Sequence, residues 1–339
     1  MILLKLFYLV KERNISGLIV DIAKKERIGI TVIGGSNIDI KGRSKNVIQW
    51  ETSNPGIVRV SHGGVARNIA HYIGLLNMPV TLLTVVGDDD EGRKIIEKLR
   101  NANVDTREII QSKKDPTGKY IAILDEKGDM QVAVSNTAIM KRVTPRYLIA
   151  KAGIIKNTKY VVIDTNLTTQ AIHYIANLCN RENIPLVVDP VSVVKSRKIL
   201  GILPEIDYLL PNVNELSALT GIVIETALDR QKAILQLMDK GVKNIVLTNN
   251  LQRALVFNQE FLKGELINIR RRKVVDSTGA GDALLVGMMY GLYYDYPLIK
   301  SVHIGLYLSN LAVMTQESVY SKINENLIKN KIIRMFKIL

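Results

Sequence analysis

One cysteine stands in the 339 residues, and that scarcity excludes a good deal. Cys179 has no partner for an internal disulfide and no second thiol for a cysteine-based zinc site, so a stapled scaffold is ruled out and a reducing compartment fits. Lying in an apolar helical stretch, it reads as a small core residue, not a nucleophile. Long apolar runs are missing too. None approaches the roughly 18 residues that a spanning helix requires, so neither a transmembrane segment nor a membrane partner is expected. Residues 1–10 are apolar but interrupted by Lys5; they lack a basic start and no small-residue cleavage pattern follows, so the expected location is cytoplasmic. Low-complexity tracts are also absent. With 47% apolar residues and dispersed charge, the chain has the composition of an ordered α/β-sized protein with a large core.

Acidic residues are the scarcer charge, 32 against 46 lysines and arginines, for a net charge of +14. Such a field attracts phosphorylated ligands and polyanions. The basic residues are scattered, however, and dense only at 270–273 and 322–337. That distribution describes a solvated basic surface, and no specific nucleic-acid partner is expected. The expected partner is a small molecule.

From Gly29 onward, short β-branched runs alternate with amphipathic stretches, the pattern of parallel strands joined by helices. Strands are expected at 30–33, 80–85, 160–163, 186–188, 208–210 and 244–247. Helices are expected at 66–76, 92–101, 168–182, 214–219, 229–240, 281–293 and 301–314. Two segments break the rhythm, 41–61 and 117–134, the second holding the turn signal Glu126-Lys127-Gly128-Asp129. A small antiparallel β flap is expected there, placed to close over a ligand and exclude water. Residues 1–27 read as an amphipathic helical extension, 28–325 as the main domain and 326–339 as a basic tail.

The chemistry concentrates where strands end. In Asp276-Ser277-Thr278-Gly279-Ala280-Gly281-Asp282-Ala283, small residues lead into an apolar helix whose opening turn aims unpaired N–H groups at one point. A phosphoryl group suits that point. Gly279, Ala280 and Gly281 would form an anion hole, and Asp282 beside them would take a proton from an attacking hydroxyl. By itself the string also fits a tight loop with an acidic N-terminal residue. Gly63-Gly64-Val65-Ala66-Arg67-Asn68 permits close backbone approach and sets Asn68, a donor and an acceptor, on the first turn of a helix. Asn37 and Asp39, two apart after the first strand, should point to one side. Asn212 and Glu215 share one face at a helix start, where they suit either a hard cation or a capping box.

These strings, in this order, resemble the two signatures of the PfkB (ribokinase-like) carbohydrate kinase family. The first signature runs on from Gly63 to Gly87-Asp88-Asp89-Asp90-Glu91-Gly92, and the resemblance covers most of residues 29–325. It implies a three-layer α/β fold, a mostly parallel central sheet flanked by helices with a small β lid. It implies an ATP-dependent phosphotransferase with an alcohol acceptor. Asp282 would be the base and Gly279 to Gly281 the anion hole. Asn37, Asp39, Gly63, Gly64, Asn68 and Asn166 would bind the sugar, with Asp164 an alternative to Asn166. Asn212, Glu215, Thr248 and Asn249 would bind the nucleotide, Glu215 holding Mg2+ indirectly, and Asp276 with Thr278 would face a monovalent cation such as K+. Relatives are often dimers, so a homodimer through the lid is expected.

Gly42-Arg43-Ser44, Ser53-Asn54-Pro55-Gly56 and Val188-Asp189-Pro190-Val191-Ser192 carry the resemblance toward the pseudouridine kinases within that family. The implied reaction is phosphorylation of the 5′-hydroxyl of pseudouridine. A kinase for another nucleoside or for ribose, and a non-catalytic sugar or nucleoside-binding regulator, are the alternatives. One departure motivates the last of these. Where the family carries Thr-x-Gly-x-x-Gly, this chain reads Thr248-Asn249-Asn250-Leu251-Gln252-Arg253, without either glycine.

Overall fold

Runs of alternating β-branched residues set both faces of the central sheet. In the computed structural model, which describes residues 27–248, 253–270 and 274–336, Val32, Val162, Val187 and Val246 pack into one core while Ile33, Ile163, Val188 and Leu247 pack into another. Side chains on neighbouring residues of a strand point to opposite faces, so all-apolar runs imply burial on both. The expected extension at 1–27 lies, apart from Arg27, outside the described residues, as does Asn249.

Fifteen strands are described: β1 (Ile30–Ile33), β2 (Asn37–Ser44), β3 (Gly56–Gly63), β4 (Val80–Leu83), β5 (Val85–Gly87), β6 (Val104–Asp105), β7 (Ile110–Ser112), β8 (Gly118–Leu124), β9 (Met130–Asn136), β10 (Tyr160–Asp164), β11 (Leu186–Asp189), β12 (Tyr208–Leu209), β13 (Asn244–Thr248), β14 (Arg253–Phe257) and β15 (Glu265–Asn268). Nine form the central sheet in the order β15-β14-β13-β12-β11-β10-β1-β4-β6. Pairing is parallel from β6 to β13, and β14 and β15 add an antiparallel edge that the sequence pattern did not announce.

Eight helices of eight residues or more flank it among the described residues: α1 (Val65–Leu75), α2 (Asp90–Arg100), α3 (Thr169–Glu182), α4 (Val213–Thr220), α5 (Ala227–Asp239), α6 (Ala280–Tyr293), α7 (Leu298–Ala312) and α8 (Glu325–Phe336). Helices α1, α2, α6, α7 and α8 cover one face, and α3, α4 and α5 the other. This is the three-layer arrangement expected. Helix α8 occupies the stretch read as a basic tail, with Ile328 and Ile332 buried in the core. Helices α6 and α7 pack backbone to backbone, since a Cβ on Gly287 would lie 2.6 Å from the Cα of Gly305. That contact anchors the helix that carries Asp282.

The lid is a separate four-stranded sheet, β3-β2-β8-β9. It begins at Asn37, earlier than the boundary at 41, because the strand that holds Asn37 and Asp39 continues unbroken into the flap. Its pairing is mixed: β2 runs antiparallel to β3 and parallel to β8. Ile57, Val58, Val60, Met130, Val132 and Val134 on its edge strands are exposed. No helix among the described residues is long and apolar enough to cross a membrane.

Candidate active site

Chain order reverses at β1: the chain passes from β1 to its neighbour β4 on one side and returns later to β10 on the other. Open α/β sheets place ligands at such a point, beyond the carboxyl ends of the strands. Here Asp164 ends β10, fully buried, and binds three backbone amides. Its Oδ2 accepts from Gly35 at 2.7 Å and from Ala66 at 2.9 Å, and its Oδ1 from Asn166 at 2.8 Å. Burial pushes this carboxyl up, and the bond from Gly35 opposes the rise. Asp164 is a bracket between the loop after β1 and the start of α1, and its oxygens are already committed.

Beyond the bracket, Asn37 donates its side-chain amide to Asp39 Oδ1 at 2.6 Å, so the two share one side of β2 as their spacing requires. Gly63 serves Asp39 directly. A Cβ there would fall 2.2 Å from the Asp39 carboxylate. Gly64, with φ 94°, starts α1 without a side-chain cap, and Asn68 follows on its first turn. From there Asn68 donates Nδ2 to Asp282 Oδ2 at 2.8 Å, a bond that spans 214 residues of chain.

Asp282 is the third residue of α6, whose N-terminus also has no side-chain cap and starts from Gly279 at φ 76°. The helix start leaves N–H groups without intrahelical partners at this turn, of which that of Ala280 donates to the Ser277 carbonyl at 3.3 Å. A Cβ on Gly281 would meet nothing within 4 Å, so the glycine leaves open space that the protein's own packing does not use. Burial raises the Asp282 carboxyl to about 7; the bond from Asn68 opposes this, Asp164 and Asp39 add to it, and Arg67 opposes it. A carboxylate poised near neutrality, beside an uncapped helix start, is equipped to accept a proton from a hydroxyl next to a phosphoryl group.

Comparison with known proteins gives the family. The profile of the pfkB family carbohydrate kinases matches residues 28–325. The chain belongs to that family. It is 30% identical over 289 residues to the pseudouridine kinase of Escherichia coli (strain K12), covering 85% of this chain and 91% of that protein. It is 25% identical over 293 residues to the guanosine-inosine kinase of Exiguobacterium acetylicum, covering 85% and 95%. The solved structure of Arabidopsis thaliana ribokinase, complexed with ribose and ATP, superposes with a TM-score of 0.78 at 20% identity, covering 90% of this chain and 99% of that one.

In this PfkB kinase the second group of expected residues lies at the ends of β12 and β13. Asn212 Oδ1 accepts from the Glu215 amide and Glu215 Oε2 from the Asn212 amide, both at 2.9 Å, so the capping box is formed. It leaves Glu215 Oε1 free of that task. Thr248 donates its backbone amide to the Pro211 carbonyl at 3.0 Å and its hydroxyl to the same oxygen at 3.3 Å, tying the two loops together. Asp189, at the end of β11, stands between the groups. Burial first, then the charges of Asp282 and Glu215, push its carboxyl well above the usual range.

Asn166 is partly taken up within the protein, since Lys195 donates to its Oδ1 at 2.6 Å. Asp276 and Thr278, expected to face a monovalent cation, are both bonded by Lys41: its Nζ lies 2.9 Å from Asp276 Oδ2 and also donates to the Thr278 hydroxyl. Burial tends to raise the Asp276 carboxyl, but the bonds from Lys41 and Thr278 hold it below its usual value. Lys41 went unassigned in the sequence. Its signal was available, because Asn37, Asp39 and Lys41 alternate on one strand and share a face.

Proposed function

We propose that this PfkB kinase transfers the γ-phosphoryl group of ATP to the 5′-hydroxyl of pseudouridine. The observation that carries a phosphotransfer role is the Asn68–Asp282 bond at the uncapped start of α6 beside the open face of Gly281. Support for the nucleoside is the 30% identity to a pseudouridine kinase along most of both chains. In this reading Asn37 and Asp39 hold ribose hydroxyls, with Asn68, Gly63, Gly64 and Asn166 completing the sugar site. Asp282 orients the 5′-hydroxyl and takes its proton, and the N–H groups at Gly279, Ala280 and Gly281 stabilise charge on the transferred group.

The donor set fits a magnesium nucleotide. Glu215 keeps Oε1 outside the capping box that Asn212 closes, a hard oxygen at a helix start suited to a cation that keeps its waters, and Thr248 lines the same edge, with Asn249 the other expected nucleotide contact. Bound Mg2+ would neutralise phosphate charge there. Lys41 supplies a positive charge at Asp276 and Thr278, so we read this pair as a cation site shared between an ammonium and K+. The exposed apolar edge strands of the lid suit pairing with a second copy, which supports a homodimer through the lid.

A coupled ADP-release assay with MgATP tests the substrate, run side by side with pseudouridine, uridine, guanosine, adenosine and ribose. The expected result is the highest kcat/KM for pseudouridine. Preference for ribose or a purine nucleoside would assign the same chemistry to another acceptor. Nucleoside binding without ADP release would favour the regulator reading suggested by the glycine-free Thr248 loop.

A further inference from the structure

Arg67 heads the largest fully buried side chains among the described residues, at 1% exposure. Taking a guanidinium out of water is costly unless it is paired. Yet none of the ion pairs among the described residues includes it, and its Nε is buried without a partner. One nitrogen, Nη1, makes its side-chain bonds: 3.2 Å to the His62 carbonyl and 2.8 Å to Asn68 Oδ1. That second bond joins Arg67 to the site. The same amide of Asn68 donates its other end to Asp282 at 2.8 Å.

An amide can face a carboxylate with either its NH2 or its oxygen, and only the first is attractive. A guanidinium can only donate, so Arg67 demands the amide oxygen for itself. The NH2 is then left for Asp282. Charge acts in the same direction. Asp282 is faced by Tyr72 from its own layer, by Asp39 from β2, by Asp164 from β10 and by Asp189 from β11, with Arg67 as the cation. Around Arg67 itself lie Asp39, Glu317, Asp282 and Tyr72, while His62 and His71, lowered to about 4 and about 3 by burial and then by the Arg67 charge, stay neutral at pH 7.

We propose that Arg67 is a positioning residue for the base: its guanidinium orients the Asn68 amide toward Asp282, and its charge offsets the carboxylates gathered around that residue. The inference rests on Asp282 being the base. Without Arg67 the amide can rotate and the carboxylate holds its proton more tightly, so turnover at neutral pH falls while nucleotide binding is untouched.

The test compares Arg67→Met, Arg67→Lys, Asn68→Ala and the double variant Arg67→Met/Asn68→Ala as pH profiles of kcat/KM for the nucleoside acceptor. Arg67→Met is expected to move the acidic limb upward by about one pH unit, and so to lower kcat/KM at pH 7 by about fivefold and to recover toward wild type at pH 9, with KM for ATP unchanged. Arg67→Lys keeps a charge without the fork, so its limb should stay near the wild-type position with kcat reduced. In the Asn68→Ala background, Arg67→Met should add much less than it costs alone. A limb unmoved by Arg67→Met, or fully multiplicative losses in the double variant, overturns the proposal. If Arg67→Met does not fold, wild-type kcat in Arg67→Lys at every pH overturns it instead. Asp282→Asn, assayed alongside, separates the two ideas: retained turnover there removes the base and this proposal together, whereas a dead Asp282→Asn with an unmoved Arg67→Met limb removes only the role of Arg67.

Discussion

Lys41, on a lid strand, places its ammonium 2.9 Å from Asp276, which stands 235 residues later, just before the turn at Gly279 to Gly281. The pair is half-buried, so it is screened less than a surface ion pair and links the lid to the loop proposed to receive the phosphoryl group. Closing a lid over phosphoryl chemistry keeps water from competing with the acceptor. Replacing Lys41 by Met should therefore lower kcat/KM by about tenfold, roughly 1.4 kcal/mol. It should also raise ADP release relative to nucleotide formed, and make activity more responsive to added K+. Product analysis beside ADP release, with and without KCl, measures all three. Unchanged coupling and unchanged K+ response would leave Lys41 a surface contact only.

Asp282 gives a pH prediction whose sign is fixed by its direction of shift. The carboxyl is raised from the ordinary carboxylate range to about 7, first by burial. It must be ionised to act as base, so kcat/KM should rise with pH and level off above a midpoint near 7. Steady-state rates from pH 5.5 to 9 at saturating MgATP report that limb. A midpoint near 4 would mean that the base is not this residue.

The same shift makes a stability prediction. A carboxyl whose folded value exceeds its unfolded value contributes stability at low pH that is lost as the pH rises through the folded value. Asp282→Asn removes a buried charge that disfavours the fold at pH 8, so its Tm should exceed wild type there, and the gain should shrink toward pH 5. Its kcat should drop by about 10²- to 10⁴-fold. Calorimetry at the two pH values, with turnover measured on the same samples, tests both halves.

Two glycines should fail in different ways. Gly63→Ala would press a methyl group to 2.2 Å from the Asp39 carboxylate, so the acceptor KM should rise by about tenfold or more while KM for ATP holds. Gly281→Ala meets no protein atom within 4 Å, so its Tm should match wild type while kcat falls, because the methyl occupies the space proposed for the phosphoryl group. Equal Tm losses in both, with kinetics intact, would reduce these glycines to packing roles.

The local features were legible in the sequence because their physics is local. An asparagine and a glutamate three residues apart at a helix start form a capping box, and Asn212 with Glu215 does so. Runs such as 160–163 declare burial on both faces by composition alone. The small residues before Asp282 mark a helix start with room in front of it. Edge strand β15 and helix α8 were harder, because their apolar residues are diluted by polar ones and only packing against α7 or the main core distinguishes them from loop or tail; β14, by contrast, carries the buried apolar run Ala254 to Phe257, too short to show its antiparallel pairing.

By itself, then, the sequence determined most of the parallel core strands and the helices between them, the glycine-lined turn that carries Asp282 at a helix start, and the family to which these belong. Tertiary structure alone decided that Asp164 is a bracket, that Lys41 reaches Asp276, and that Arg67, Asn68 and Asp282 form one hydrogen-bonded line. The reason is physical. Helix starts and strand burial depend on residues a few positions apart, whereas the proton affinity of a buried carboxylate depends on which charges from distant parts of the chain share its low-dielectric surroundings.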